Sequence, residues 1–391
     1  MQSNNIKLLL LIKLIGGLLF FLPVGVLYLE ESLFSLANVG FILALESVCF
    51  SLFEIPTGAL SDIYGRKRVL LFAHIISFLA IIFLFQGGSL WVFSLYAILT
   101  AFSRSLVSGT DEALVYDTLL SENREKEFPE TIGKLFAFWP VGASIASLVG
   151  SYIATYSLKL TVAWSLLPQL IALILCLFLQ EPKVHKPVEK KLSLHISSSL
   201  KEVFASKLIL LIILLNAILW GLGESLYHFT SIFFVERQIE IKFFGTLFTL
   251  GYALSALGHY LSGWFIDKFN LRNLLLFCLL LSPFINFFAT ITYGYIAGVL
   301  AVVTSFTFGI RNTIISKETN TLVTSHNRAT ILSVSNAFKQ LLITLGTLLA
   351  GFFADILSMT QVFQIFLAIL LIFPTIIGLV YFKQKAKVPN S

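Results

Sequence analysis

Glu54-Ile55-Pro56-Thr57-Gly58-Ala59-Leu60-Ser61-Asp62-Ile63-Tyr64-Gly65-Arg66-Lys67-Arg68 is a charged, glycine-punctuated stretch between two long apolar runs. A polar turn in that setting is a loop at a membrane surface, and three consecutive cations indicate which surface, because Lys and Arg accumulate on the cytoplasmic side. The composition agrees. Of 391 residues, 57% are hydrophobic and 12% charged, with a mean hydropathy of +0.90. A soluble globule needs about 25% charged residues to coat its surface.

The apolar material falls into twelve runs of helix-spanning length, from Ile6 to Leu29 through to Gln361 to Phe382. A helix crosses a hydrocarbon core of about 30 Å in roughly 20 residues. These solid runs lack the period-two alternation of a membrane barrel. The expected fold is therefore an all-α membrane protein of twelve transmembrane helices. The first run is too long for a cleavable signal and has no small-residue cleavage site after it. Cys49, Cys176 and Cys278 lie within apolar runs without ligand spacing, so neither a metal site nor a cofactor is expected.

Cations fix the orientation. Lys7, Arg66 to Arg68, Arg124, Lys126, Lys134, six lysines from Lys183 to Lys207, Lys268, Arg272, Lys317, Arg328 and the tail lysines share one side; Lys159, Arg237 and Lys242 are on the other. Both termini are expected to be cytoplasmic. The net charge of +6 then belongs to loops, which removes the case for nucleic acid.

The longest polar segment divides the chain into residues 1–182, a linker at 183–207 with an amphipathic helix expected over Ser193 to Lys207, and residues 208–391. Each flank holds six runs. The halves also repeat: Gly58 to Asp62 returns as Gly263 to Asp267, and Lys134 as Lys339, both at an offset of 205, while Arg104 falls within two residues of matching Arg311. In transporters such duplication places the binding site between the repeats near the midplane.

Gly58-Ala59-Leu60-Ser61-Asp62-Ile63-Tyr64-Gly65-Arg66-Lys67-Arg68 resembles the loop motif G-x-L-x-D-x-x-G-R-[KR]-x of the major facilitator superfamily at every defining position. The resemblance implies two six-helix bundles that alternate access. It also implies that Gly58, Asp62, Gly65 and Arg66 form a gate latch that does not touch substrate. Asp62 would meet the start of span eleven at Arg328-Ala329-Thr330, and Asp117, at the end of span four, is the candidate partner of Arg66.

Charges inside spans cost roughly 2.5–3.5 kcal/mol each on insertion scales, so those present are candidates for coupling or substrate contact. Arg104, Ser108, Asp111 and Glu112 are spaced to share one helical face, on which the acids could neutralise Arg104 or a neighbour's charge. Glu46 lies near the middle of span two and is a candidate proton site. Glu224 and His228 are one turn apart in span seven, and Arg311 lies deep in span ten, where it needs a carboxylate or an anionic ligand. Lys134 and Lys339 are expected to snorkel. Phe138, Trp139, Trp220 and Tyr227 are candidate walls for an amphiphilic ligand.

The absence of a Walker-type G-x-x-x-x-G-K-[ST] leaves an ion gradient as the energy source. The expected function is secondary active transport of a small organic solute, as proton-coupled efflux in the style of bacterial drug exporters. The working unit would be a monomer contacting lipid in a bacterial inner membrane. Two departures keep import of a metabolite or metal chelate open: the region around Pro140 retains little of the antiporter glycine motif, and span one has no acid before Glu30. A membrane enzyme or sensor on the same fold is the remaining alternative.

Overall fold

The computed structural model describes residues 4–182, 206–322 and 328–387; the side chains at 55, 58, 59, 62 and 328–330 are not among those described. The amphipathic helix expected within 183–207 therefore lies almost wholly outside the described residues. The protein is all-helical there, with eleven helical stretches long and apolar enough to cross a membrane. It divides into two compact units, Met1–Glu189 with Ile241–Thr246, and Lys190–Glu240 with Leu247–Ser391.

The first unit is built from α1 (Asn5–Gly16), α2 (Gly25–Leu33), α3 (Leu36–Tyr64), α4 (Arg66–Gln86), α5 (Leu90–Val107), α6 (Thr110–Ser121), α7 (Phe128–Ala154) and α8 (Leu158–Leu177). Its core joins Leu9 and Ile12 of α1, Leu70 of α4, Leu114 and Leu119 of α6, Leu135 of α7 and Cys176 of α8.

One expectation fails at the start. The continuous helix expected over Ile6 to Leu29 is two helices of 12 and 9 residues, each too short to cross a bilayer alone. Pro23 lacks an amide hydrogen and disfavours helix before it. The break persists in an apolar setting because α8 supplies what the backbone loses. Ser165 Oγ accepts from the Phe20 amide at 2.8 Å, and Gln169 Nε2 donates to the Gly16 carbonyl at 3.0 Å. Such repair is what lets irregular backbone exist at membrane depth. Gly150 of α7 completes the fit, since a Cβ there would collide with the Phe20 carbonyl oxygen.

The second unit comprises α9 (Lys207–His228), α10 (Thr230–Glu236), α11 (Phe244–Lys268, apart from its first three residues), α12 (Leu271–Ile291), α13 (Gly294–Val303), α14 (Ser305–Leu322), α15 (Arg328–Ala354) and α16 (Met359–Lys385). Ile209 and Ile213 of α9 pack on Ile331 and Val334 of α15. Phe233 of α10 stacks on Phe363 of α16, centroids 4.5 Å apart.

Candidate functional site

The opening stretch folds more tightly than its composition suggests. Helix runs on to Tyr64 and restarts at Arg66, so the whole turn is Gly65, at φ 90° and ψ 151°. Only glycine adopts that conformation without strain. The α4 N-terminus leaves free amides, and a carboxylate occupies them: Glu181 accepts from the Arg66 amide at 2.7 Å and the Lys67 amide at 2.8 Å. Negative charge is favoured there by the helix dipole. A Cβ on Gly65 would come within 2.9 Å of that carboxylate. Arg66 Nη1 donates to Ser61 Oγ at 2.5 Å, and its Nε lies 3.5 Å from Asp117 Oδ2. Gly58 and Asp62 lie in α3, and the contact expected between Asp62 and the start of span eleven involves side chains outside those described.

The face expected to carry Arg104, Ser108, Asp111 and Glu112 is interrupted. Helix α5 ends at Val107, Gly109 is left-handed at φ 76°, and α6 begins at Thr110. Of the two roles expected for the acids, the structure shows the second: Asp111 pairs with a neighbouring helix's cation, and Arg104 is held from another helix. Its Nη1 lies 2.6 Å from Glu46 Oε1 of α3, and its guanidinium also sits over Phe50, 5.2 Å from the ring centroid. Glu46 is the more enclosed partner, at 16% side-chain exposure against 62% for Arg104. Asp111, buried in the first turn of α6, pairs with Lys13 of α1. The Glu112 amide donates to Asp111 Oδ1 at 2.8 Å. Lys134 pairs with Glu130 at 2.6 Å, and Phe138 is half-buried while Trp139 is exposed, both on α7.

In the second unit a different arrangement surrounds Trp220. Its indole lies edge-to-face with Phe308 of α14, centroids 5.2 Å apart, and donates from Nε1 to Asn312 Oδ1 at 3.3 Å. Asn312 Nδ2 is 3.4 Å from His259 Nε2, and His259 Nδ1 is 2.8 Å from the Ser255 carbonyl. A carbonyl only accepts, so Nδ1 carries the proton and Nε2 accepts from Asn312. This one-directional chain fixes the indole plane. Arg311 lies over Phe308 at 5.5 Å and Lys339 over Trp220 at 5.4 Å. Lys339 thus reaches an aromatic face, where snorkelling to the interface was expected.

Neither Arg311 nor Lys339 forms an ion pair with a described residue. An aromatic face returns about 0.5–2 kcal/mol to a cation, against roughly 2.5–3.5 kcal/mol for placing it in a span. The rings alone leave Arg311 undercompensated. Glu224, one turn beyond Trp220, has Oε1 3.8 Å from His228 Nε2, and Tyr227 shares a 2.6 Å hydroxyl contact with Tyr252. Asn216, one turn before Trp220, keeps a buried carboxamide oxygen without a partner. At the far end of α14, buried Glu318 holds Tyr381 and Lys385, the latter at 2.6 Å. Among the described residues no cluster of His, Cys, Asp and Glu could hold a metal ion.

Sequence reasoning missed Glu181, Lys13, Asn312 and Phe308. Lys13, a cation in the first apolar run, was a visible signal of the kind used for the other intramembrane charges. Glu181 carried only its place before a proline at the end of span six.

The sequence model of the Major Facilitator Superfamily matches residues 9–317 and 235–391. An uncharacterized MFS-type transporter, YxaM of Bacillus subtilis (strain 168), is 25% identical over 239 residues, covering 59% of this chain and 58% of that protein. Among solved structures, the nucleoside transporter NupG superposes with a TM-score of 0.79 at 14% identity, covering 98% of this chain and 99% of that one. A bacterial homolog of the human lysosomal transporter Spinster gives 0.74 at 18% identity, with 98% of both chains covered. Likeness at those identities speaks for the fold alone.

Proposed function

The chain belongs to the Major Facilitator Superfamily, and from that premise we propose that it is a secondary active transporter exporting a small organic solute by alternating access, driven by protons. It is a multi-pass membrane protein with eleven apolar spanning helices among its described residues. The solutes named for the similar structures belong to those proteins.

The observation that carries the proton reading is the Glu46–Arg104 pair. A carboxylate midway along an apolar helix holds a cation at 2.6 Å, and neutralising that carboxylate would reduce the ion pair to an ordinary hydrogen bond. On this reading, proton uptake weakens the hold on Arg104, and a contact weakened in one protonation state couples a gradient to a conformational change. Asp111 with Lys13, Glu112, and Glu224 with His228 are the further titratable sites along the helices. In the gate, Gly58, Asp62, Gly65, Arg66 and Asp117 set the conformational equilibrium without touching solute, so Asp62→Asn slows transport while binding stays within a few-fold. Both termini face the cytoplasm, and a monomer suffices.

Purified protein in proteoliposomes, given an imposed pH gradient and a panel of labelled organic solutes, tests the reading. Solute flux opposite to the proton flux supports export. Flux in the same direction assigns symport and import instead, and absence of gradient-driven flux for every solute overturns transport.

A further inference from the structure

We propose that the Trp220 face of the second unit seats an organic anion: a solute with a carboxylate, sulfonate or phosphate group beside a flat apolar portion. This names the substrate class for the transport reading above and rests on it.

The two cations are the starting point. Arg311 on α14 and Lys339 on α15 come from different helices and both overhang one ring pair, Phe308 and Trp220. Both are half-buried, and neither meets a carboxylate among the described residues. A guanidinium and an ammonium lodged in apolar helices need negative charge. The first unit supplies it internally, since its corresponding Arg104 is held by Glu46. At Arg311 no described residue supplies the negative charge, which is the condition of a site whose counter-charge arrives with the ligand.

The rest of the face is built to hold a flat group. The indole is pinned in plane by the hydrogen-bond relay through Asn312 and His259 to the Ser255 carbonyl. Phe308 meets that indole edge-on at 74°, giving two differently oriented apolar walls. A planar solute stacked on one wall presents an oxyanion to the cations above the rings, where the planar fork of Arg311 suits two oxygens of one group. A cationic drug would face two like charges there, and a neutral one would leave both unpaired.

Binding to the full chain in phosphatidylcholine nanodiscs, without a gradient and with empty nanodiscs subtracted, tests this. The probes are naphthalene-2-sulfonate, naphthalene-2-carboxylate, the uncharged naphthalene-2-carboxamide and a naphthyl trimethylammonium. The two anions are expected to bind about tenfold or more tighter than the carboxamide, the trimethylammonium being weakest. Arg311→Gln removes most of that preference, Arg311→Lys retains part of it, and Trp220→Leu weakens all four probes together. Lys339→Gln lowers the preference several-fold and serves if Arg311→Gln does not fold. The proposal is overturned if the carboxamide or the trimethylammonium binds as well as the anions. It is also overturned if no anion binds, or if the preference survives Arg311→Gln or Lys339→Gln in protein that melts as the wild type does. Anion preference without gradient-driven flux would defeat the transport reading alone; flux without anion preference would defeat this one alone.

Discussion

Arg104 and Arg311 stand at corresponding places in the two halves and are housed in opposite ways. Each precedes an acid by seven residues, Asp111 and Glu318, and each acid is clamped by a lysine, Lys13 and Lys385. Up to that point the halves agree. Arg104 then meets Glu46 at 2.6 Å, whereas Arg311 lies over Phe308 and meets no carboxylate among the described residues. On the proposed reading, an internally neutralised cation responds to a proton through its carboxylate partner. A cation without a carboxylate responds to whatever anion comes near. If both proposals hold, the difference teaches that duplicated helices divide the work of coupling and recognition between them by keeping or omitting one acid.

The largest expected effect comes from removing that acid. Glu46→Gln should lower proton-driven flux by about two orders of magnitude, the size typical of losing a proton-transferring group. Solute exchange without a gradient should persist, and gradient-driven flux at wild-type rates would break the assignment of coupling to the first half. A smaller effect sharpens the contrast between the arginines. Arg104→Gln leaves Glu46 enclosed and unpaired, a loss of about 1–2 kcal/mol after allowing for the exposure of Arg104. Arg311→Gln orphans no acid and should leave thermal unfolding unchanged or raised. Equal destabilisation by the two would mean that Arg311 has a partner after all.

The smallest effect concerns a place where the halves behave alike. Glu181 sits on the α4 N-terminus, and Glu236 sits on the α16 N-terminus, accepting from the Met359 and Thr360 amides at 2.7 Å each. Glu181→Gln and Glu236→Gln should each cost about 1 kcal/mol in thermal unfolding, as expected for charge at a helix start. A markedly larger loss of flux in Glu181→Gln, at equal stability, would tie that carboxylate to the gate beside Arg66.

Much of the fold was legible because lipid imposes a crude rule: runs of about 20 apolar residues become helices. The same crudeness explains the misses. The reading of span one by run length passed over Pro23, and whether the break there survives depends on Ser165 and Gln169, about 150 residues away. Gly109 sat in plain view, yet its left-handed turn divides a face that helical periodicity draws as continuous. Arg66 and Asp117 could be paired on paper because opposite charges at the ends of adjacent spans have few choices. Arg104 had several acids within plausible reach, and only the packing of α3 against α5 selects Glu46. Lys339 read as a snorkelling residue because no sequence rule brings α15 over the Trp220 ring.

The interrupted first span also sets a clock on biogenesis. Ser165 leaves the ribosome 145 residues after Phe20, so the hydroxyl that receives the Phe20 amide does not exist when the first span enters the bilayer. At about 5–20 residues per second that is an interval of roughly 7–30 seconds. Until it ends, lipid favours a helix that bonds its own amides as far as Pro23 allows. The bend is thus expected to be cut late, by a helix made long after it. A nascent chain halted before Ser165 should show uniform, helix-like cysteine accessibility across residues 17–22, and one halted after α8 should show the break.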